Sequence, residues 1–313
     1  MTTERSGWLR AVLVPLLVLE ACTAIEPARV ALPSLERRDE IAHADLDEVH
    51  RLYVDERGRV DYAALKRNPG RLERYYLWLA NESPDKTPWR FPTREDELSY
   101  WINAYNASVL VAVVRRYPLG SVTHVRAPLP LHALNDKIGF FYLQHFVLGG
   151  ETVNLYSLEN SILRERYRDP RIHFAINCAS AGCPRLPREA FTARRLDQQL
   201  NRETRRFFDD PRNLRFDHDL GTVYLSPILD WYAADFIQWL AEEHPERPAD
   251  LLSYVSLYAP PEHRAALLRA RTEGYEIVFP PYDWALNDQA AKDPDHEERP
   301  GSIAGHEARD APH

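Results

Sequence analysis

Residues 98–114 read LSYWINAYNASVLVAVV, and this run decides the fold class. The preceding Thr93-Arg94-Glu95-Asp96 resembles a capping box, so the sequence predicts a helix over about 94–116. Apolar residues occupy nearly every side of this helix, which indicates a central, buried position. Asn103 and Asn106 lie three residues apart and therefore on one face. Because buried amides must be hydrogen-bonded, we expect polar groups to face them.

Shorter helices alternate irregularly with two hairpins and two single strands along the rest of the chain. The hairpins centre on residues 149–150 and 219–221, and the single strands cover 173–177 and 275–279. The regular strand–helix alternation of a doubly wound sheet is missing. The sequence therefore predicts an α+β fold, a mostly helical single domain with a small, largely antiparallel sheet and the central buried helix.

The composition of the 313 residues is that of a folded globular protein, with 44% hydrophobic and 27% charged residues. The formal net charge of −8 argues against nucleic acid as a partner, because phosphate binding requires a basic surface. The 7 Trp, 16 Tyr and 11 Phe suit either a bulky core or an aromatic-lined cleft. No cofactor motif stands out, so we expect no cofactor.

The first 21 residues have the features of a secretory signal peptide. Arg5 and Arg10 precede an apolar run at 11–19, which is too short to span a bilayer. The following Leu19-Glu20-Ala21-Cys22 resembles the lipobox of bacterial lipoproteins, in which the cysteine becomes the lipidated N-terminus. The alternative is a plain signal peptide with an incidental cysteine. Thr23, in place of an aspartate after the cysteine, favours delivery to the outer membrane, facing the periplasm.

The rest of the chain divides into three parts. Residues 22–42 are rich in Pro, Ala and charge and predict a tether. Residues 43–287 form the single globular α+β domain, and the acidic, Pro-rich residues 288–313 predict a disordered tail. We therefore expect an exported lipoprotein whose partner is the membrane, through a lipid on Cys22.

Cys178 and Cys183 enclose a loop of four small residues, 179–182. Setting Cys22 aside for a lipid leaves these two as an even pair, and in an oxidising compartment such a pair most simply forms a disulfide. The short, flexible loop can bring the two Cα atoms within the bridging range of about 4.4–6.8 Å. Because a short loop gains little chain-entropy stabilisation, the disulfide would shape the loop rather than hold the fold.

A second chemistry fits the same cysteines. Cys178 or Cys183 is then the nucleophile of a thiol-dependent hydrolase or acyltransferase acting on a peptide-like substrate, with His173 as the base. Glu159 or Asn103 would orient the imidazole, as the third member of a triad does. Since side chains alternate along a strand, a direct contact between His173 and Cys178 requires the strand to end before the cysteine.

A third chemistry is a metal site. Its ligands would be His173, Cys178 and Cys183, with a fourth from a carboxylate or from His124, His132 or His145. Zinc sites usually show two closely spaced ligand pairs, and this sequence has one. We therefore expect no metal.

Several further residues are expected near this loop. We predict a shared, partly open pocket beside the central helix, lined by Trp101, Asn103, Asn106 and Asn177. Asp230, Trp231, Tyr232 and Asp235 are interpreted as a packed helix face whose acids cap or pair locally, with Arg164 as one possible partner.

With these residues in view, the chain resembles the bacterial and plant family known as domain of unknown function 547. The resemblance covers about residues 60–287. It rests on Trp101-Ile102-Asn103-Ala104-Tyr105-Asn106, Ser157-Leu158-Glu159 before Ile162-Leu163-Arg164, His173-Phe174-Ala175 with Cys178 and Cys183-Pro184, Trp231-Tyr232 with Asp235-Phe236, and Tyr282-Asp283-Trp284. The resemblance implies a single domain, points to the same residues, and brings no established activity.

Two functions therefore stand side by side. The first is a non-catalytic binding or scaffold domain of the cell envelope, in which a Cys178–Cys183 disulfide rigidifies a recognition loop for a peptide-like or other envelope ligand. The second is the thiol-dependent enzyme that uses Cys178 or Cys183 with His173. Of the two, the sequence favours the binding domain over the thiol-dependent enzyme.

Overall fold

The structure, a computed structural model, describes residues 24–28 and 43–291. The predicted signal peptide, the lipidation site Cys22, and most of the predicted tether and tail lie outside the described residues. Within the described ranges, no helix is long and apolar enough to cross a bilayer.

The central helix, α4, spans Arg94–Arg116, as the sequence predicts. The capping box is formed: Thr93 Oγ1 accepts from the Asp96 N–H at 3.1 Å, and Asp96 Oδ2 accepts from the Thr93 N–H at 3.1 Å. Every side chain from position 98 to position 114 is buried. A helix buried on all sides must be surrounded by other elements, and these elements form the first of two hydrophobic cores.

The other helices are arranged around α4 and beyond it. Before α4 the chain forms α1 (Ala44–Tyr53), α2 (Tyr62–Arg67) and α3 (Gly70–Asn81). After it come α5 (Leu131–Leu134), α6 (Ile138–Phe141), α7 (Leu155–Ser157), a π-helical segment (Leu158–Arg164), α8 (Glu165–Tyr167), α9 (Leu196–Asp209), α10 (Pro227–Trp231), α11 (Ala233–Glu243), α12 (Leu251–Tyr258) and α13 (Arg264–Glu273). Short 3₁₀ turns lie at Pro88–Arg90, Val122–His124, Pro170–Phe174, Ala193–Arg195 and Pro261–His263.

The strands of the described residues form two small mixed sheets. The first contains β1 (Ala24–Ile25), β2 (His145–Leu148) and β3 (Glu151–Asn154), and the second contains β4 (Leu214–Asp217), β5 (Thr222–Leu225) and β6 (Glu276–Val278). Each sheet consists of a predicted antiparallel hairpin plus a third strand that adds in parallel. The mostly helical α+β fold is therefore confirmed, but the strands form two sheets instead of one.

Two hydrophobic cores meet at residues 172–175. Ile172 and Ala175 belong to the core around α4, whereas Phe174 belongs to a second core. In that second core the ring of Phe174 lies 4.6 Å from Phe207 and 5.6 Å from Phe236, between ring centroids. This short segment is therefore held from both sides.

The strand predicted at 173–177 is wrong. Pro170–Phe174 is a 3₁₀ turn, capped by the Asp169 side chain, which accepts from the Arg171 N–H. Proline lacks an N–H and has a φ that suits the first position of a helical turn, so it favours this conformation over a strand. The backbone after the turn has a side-chain partner instead of a neighbouring strand.

That partner is Asn106 of α4. Its Nδ2 donates to the Ala175 carbonyl at 3.0 Å, and its Oδ1 accepts from the Asn177 N–H at 2.8 Å. Asn103, one turn earlier, does the same for both backbone groups of Phe191, at 2.8 and 3.0 Å. Each amide thus satisfies one buried donor and one buried acceptor, which would otherwise be costly to bury.

Two predicted boundaries change. Ala24–Ile25, inside the predicted tether, pair with β2. At the other end, Asp288 and Gln289, inside the predicted tail, are held in the domain: Tyr117 donates to Asp288 at 2.7 Å, and Gln289 Nε2 donates to the carbonyls of Tyr53 and Arg59, both at 2.9 Å. Apolar patterning does not reveal these contacts because they are made by backbone and polar atoms.

We predict that Asn106→Leu lowers the free energy of unfolding by about 2–4 kcal/mol, because it leaves a buried N–H and a buried carbonyl without partners. The measurement is urea unfolding monitored by circular dichroism. The matched control is Asn81→Leu on exposed α3 surface, which should change stability by less than about 0.5 kcal/mol. Equal effects of the two substitutions would contradict the role given to Asn106.

Candidate functional site

A cleft of about 320 Å³ opens beside the loop that Cys178 and Cys183 enclose. The four predicted catalytic residues all line it: Glu159, His173, Cys178 and Cys183. They come from the π-helical segment, the 3₁₀ turn and the disulfide loop. The structure thus brings together side chains that the sequence singled out separately.

Two groups of aromatic rings form walls of the cleft. In the first wall Tyr142 and Tyr156 are stacked, with ring centroids 4.4 Å apart. In the second wall Tyr282 packs against Trp231 at 4.8 Å and against Trp284 at 4.6 Å. Trp231 is 48% exposed, so this second wall presents ring surface to solvent. Exposed clustered rings are typical of a binding surface.

Glu159 is held by two tyrosines. The Tyr105 hydroxyl donates to Oε2 at 3.2 Å, and the Tyr232 hydroxyl donates to Oε1. Burial raises the pKa of both hydroxyls far above the usual range, so both remain protonated donors. Glu159 is therefore positioned by tyrosines on α4 and after α10, and it does not orient His173.

The residue that orients His173 is Asp235 of α11. His173 Nε2 donates to Asp235 Oδ2 at 2.8 Å, and Arg164 forms a two-pronged ion pair with the same carboxylate at 2.7 and 2.9 Å. Burial acts to raise the pKa of Asp235, but the hydrogen bonds from His173 and Arg164 outweigh it and hold the pKa well below its usual range. The His173 ring also stacks on Tyr232, with centroids 3.9 Å apart.

This arrangement leaves one imidazole nitrogen unused. His173 is only 4% exposed, and its Nδ1 has no hydrogen-bond partner within the described part of the chain. Since Nε2 donates to Asp235, Nδ1 is the ring nitrogen that is left without a partner. The sequence suggested Arg164 as a partner of the acids around Trp231, and this is confirmed for Asp235. It did not connect Asp235 with His173, 62 positions away.

Cys178 and Cys183 form a disulfide, with Cα atoms 6.2 Å apart, so the predicted pairing is confirmed. While the sulfurs are joined, neither can act as a thiolate nucleophile. Within residues 24–28 and 43–291, no group of three or more His, Cys, Asp or Glu side chains could hold a metal ion, including around His124, His132 and His145.

The structure does not place the four predicted pocket residues, Trp101, Asn103, Asn106 and Asn177, in the cleft wall. All four are buried. The amides of Asn103 and Asn106 are fully used in binding backbone, and Trp101 packs edge-on against Tyr100 at 4.8 Å. Asn106 and Asn177 instead hold the backbone that leads into the disulfide loop.

The residues that sequence reasoning missed are mostly the aromatic ones. Trp231, Tyr232, Tyr282 and Trp284 stood in motifs of the resemblance, but no pattern assigned them to one surface. The Tyr142–Tyr156 pair had no sequence signal, since it depends on how α6 and α7 come together.

Comparison with known proteins gives one match, to a family model that covers part of the chain. The model of the family described as "Protein of unknown function, DUF547" matches residues 90–208, from just before α4 to the end of α9. The chain therefore contains a DUF547-like domain. This stretch carries Glu159, His173 and the disulfide, whereas Asp235 and the exposed tryptophan wall lie beyond it. Neither the curated proteins nor the solved structures gave a match.

We predict that Asp235→Ala lowers the free energy of unfolding by about 2 kcal/mol, because His173 and Arg164 lose their shared charged acceptor. Asp230→Ala is the matched control, since Asp230 is exposed on the neighbouring α10. The measurement is urea unfolding of the two variants. If Asp235→Ala is no more destabilising than Asp230→Ala, Asp235 does not hold His173 and Arg164 in place.

Proposed function

We propose that this protein is a non-catalytic binding domain of the cell envelope, whose aromatic cleft beside the Cys178–Cys183 loop takes a peptide-like ligand. The observation that carries the proposal is the cleft itself. Its volume of about 320 Å³ lies at the lower end of small-ligand sites, and it combines ring surfaces with a few fixed polar groups.

The charge of the cleft favours a ligand with a cationic group. Among the described residues that line it, Glu159 is the one carboxylate, and Tyr105 and Tyr232 hold it in place. Lys137 also lines the cleft, but its ammonium is paired with Asp136 at 2.9 Å, outside the lining. Aromatic faces attract cations as well. One ammonium is already in such a contact, since Lys137 Nζ lies 4.7 Å from the centre of the Trp284 ring. An incoming cation would therefore be drawn to the Glu159 end of the cleft.

The alternative, a thiol-dependent hydrolase or acyltransferase, requires a free sulfur beside His173. The disulfide removes that nucleophile in the oxidised protein. Binding needs no free thiol, so the oxidised cleft is compatible with it as it stands.

The test is a titration of the full chain with a lysine tripeptide blocked at both ends, followed by tryptophan fluorescence and calorimetry. The ligand control is the same peptide with norleucine in place of lysine, which keeps the chain length and removes the charge. We expect the lysine peptide to bind at least about tenfold more tightly, a difference of about 1.4 kcal/mol. Equal affinity, or no saturable binding of either peptide, would overturn the proposal.

Two variants assign that binding to the cleft. Glu159→Gln should reduce the affinity for the lysine peptide to that of the norleucine peptide, and Trp231→Ala should weaken both. Trp89→Ala is the control, because Trp89 is 67% exposed and does not line the cleft.

We also propose that the domain is an outer-membrane lipoprotein facing the periplasm, anchored through a lipid on Cys22. The lipobox-like sequence before Cys22 supports this. Strand β1 begins at Ala24, only two residues later. A lipid at Cys22 would therefore hold the first sheet close to the bilayer surface instead of on a long tether.

The measurement is the intact mass of the protein purified from membranes of an expressing Gram-negative bacterium. We expect cleavage before Cys22 and the added mass of the lipid, and Cys22→Ala should release the protein from the membrane fraction. A soluble protein cleaved elsewhere would reject the anchor without affecting the binding proposal.

A further inference from the structure

The loop between Cys178 and Cys183 is held in shape by hydrogen bonds that do not involve the disulfide. Asn177 closes it at its base: its Nδ2 donates to the Pro184 carbonyl at 2.7 Å, and its Oδ1 accepts from the Ala179 N–H at 2.8 Å. Across the loop, the Cys183 N–H donates to the Ser180 carbonyl at 3.1 Å.

The chain segment that ends the domain holds the same loop from outside. The Ala181 N–H donates to the Ala285 carbonyl at 2.7 Å, and the Gly182 N–H donates to the Asp283 carbonyl at 2.9 Å. Ala179 adopts a φ of 63°, which is strained for a residue with a Cβ and persists where surrounding contacts determine the backbone. Two sets of hydrogen bonds, one from Asn177 and one from residues 283–285, therefore hold the loop, and neither set involves the disulfide.

The surroundings of the two sulfurs are unlike those of a buried structural bridge. Both cysteines are only half-buried, and both face the cleft. Cys178 Sγ lies 3.0 Å from the Ser180 hydroxyl and 3.4 Å from the Tyr282 hydroxyl, whereas Cys183 Sγ accepts from the Cys178 N–H at 2.9 Å. Hydroxyl donors stabilise a thiolate more than a neutral sulfur.

We propose that the Cys178–Cys183 bridge is a redox-active disulfide that dithiols reduce by thiol–disulfide exchange in the cleft, with the Cys178 thiolate as the first leaving group. This goes beyond the binding function, since it assigns a chemical step to a bridge that the fold does not require.

One thiolate of the dithiol attacks Cys183 Sγ, the S–S bond breaks, and its electron pair leaves on Cys178 Sγ, beside the hydroxyls of Ser180 and Tyr282. The two hydroxyls also hydrogen-bond each other at 2.9 Å, so one of them donates to the sulfur and accepts from the other. The second thiolate of the dithiol then attacks the dithiol sulfur that is now bonded to Cys183. This attack releases the Cys183 thiolate and closes the dithiol into a disulfide. Two electrons pass to the protein, and the two protons of the dithiol end on Cys178 and Cys183.

The first test is the redox poise of the folded full chain in glutathione buffers, read by trapping free thiols and measuring intact mass. Structural disulfides of exported proteins stay oxidised against the glutathione couple. We expect a substantial reduced fraction with the circular dichroism spectrum unchanged. A bridge that stays fully oxidised in the native protein, or that is lost only when the protein unfolds, would overturn the proposal.

The second test is the pH dependence of alkylation by iodoacetamide in Cys22→Ala/Cys183→Ser, which leaves Cys178 as the one thiol of the chain. Cys22→Ala is kept in every variant of this test. We expect a midpoint at least about one unit below the ordinary value of about 8.5, equivalent to about tenfold faster reaction at low pH. The other titratable groups that line the cleft are one carboxylate, one imidazole, one ammonium and five phenols: Glu159, His173, Lys137, Tyr105, Tyr142, Tyr156, Tyr232 and Tyr282.

Adding Ser180→Ala or Tyr282→Phe to that variant should move the midpoint back towards the ordinary value. The matched control is Cys178→Ser, in which Cys183 should titrate higher than Cys178 does. If Cys178 titrates at the ordinary value, or no lower than Cys183, the assigned leaving group is wrong. Neither test uses the tripeptides, so failure here is distinguishable from failure of the binding proposal.

Discussion

Two side-chain amides on the central helix take the place of a strand partner, and the rest of the structure depends on them. Asn103 bonds both backbone groups of Phe191, and Asn106 bonds the carbonyl of Ala175 and the N–H of Asn177. These segments lie 69 to 88 positions away in sequence, and both are buried. Buried backbone groups need partners, so without the amides neither segment could pack against an apolar helix.

The site follows from where those amides hold the chain. Residues 172–175 lie where the two cores meet, so His173 is supported by apolar packing on both sides. Its carboxylate partner, Asp235, comes from α11, a helix that contributes Phe236 and Leu240 to the second core. Glu159 is held by Tyr105 of the first core and by Tyr232, which packs against the second. The cleft thus forms at the junction of the two cores, and aromatic side chains from distant segments provide its walls.

The sequence predicted the individual residues of the site better than their roles. His173, Glu159 and the two cysteines do share a cleft, but the orienting carboxylate is Asp235, and the predicted pocket amides do not line that cleft. The reason is physical: an amide on an apolar helix signals only that some polar partner exists. Which backbone groups it meets depends on the tertiary fold. The strand predicted at 173–177 failed for the same reason, since a side chain supplied the bonds expected of a neighbouring strand.

Local chemistry was sufficient for the bounds of the central helix and for both hairpins. A capping box and a glycine turn each act over a few residues, so the sequence by itself determined them. For the two cysteines the sequence favoured a disulfide but left a thiol nucleophile and a metal site as alternatives. Only the tertiary structure decided how the strands divide into two sheets, which carboxylate meets His173, and which rings enclose the cleft. Those contacts join residues tens to hundreds of positions apart, and their free energy appears only when the two cores pack together.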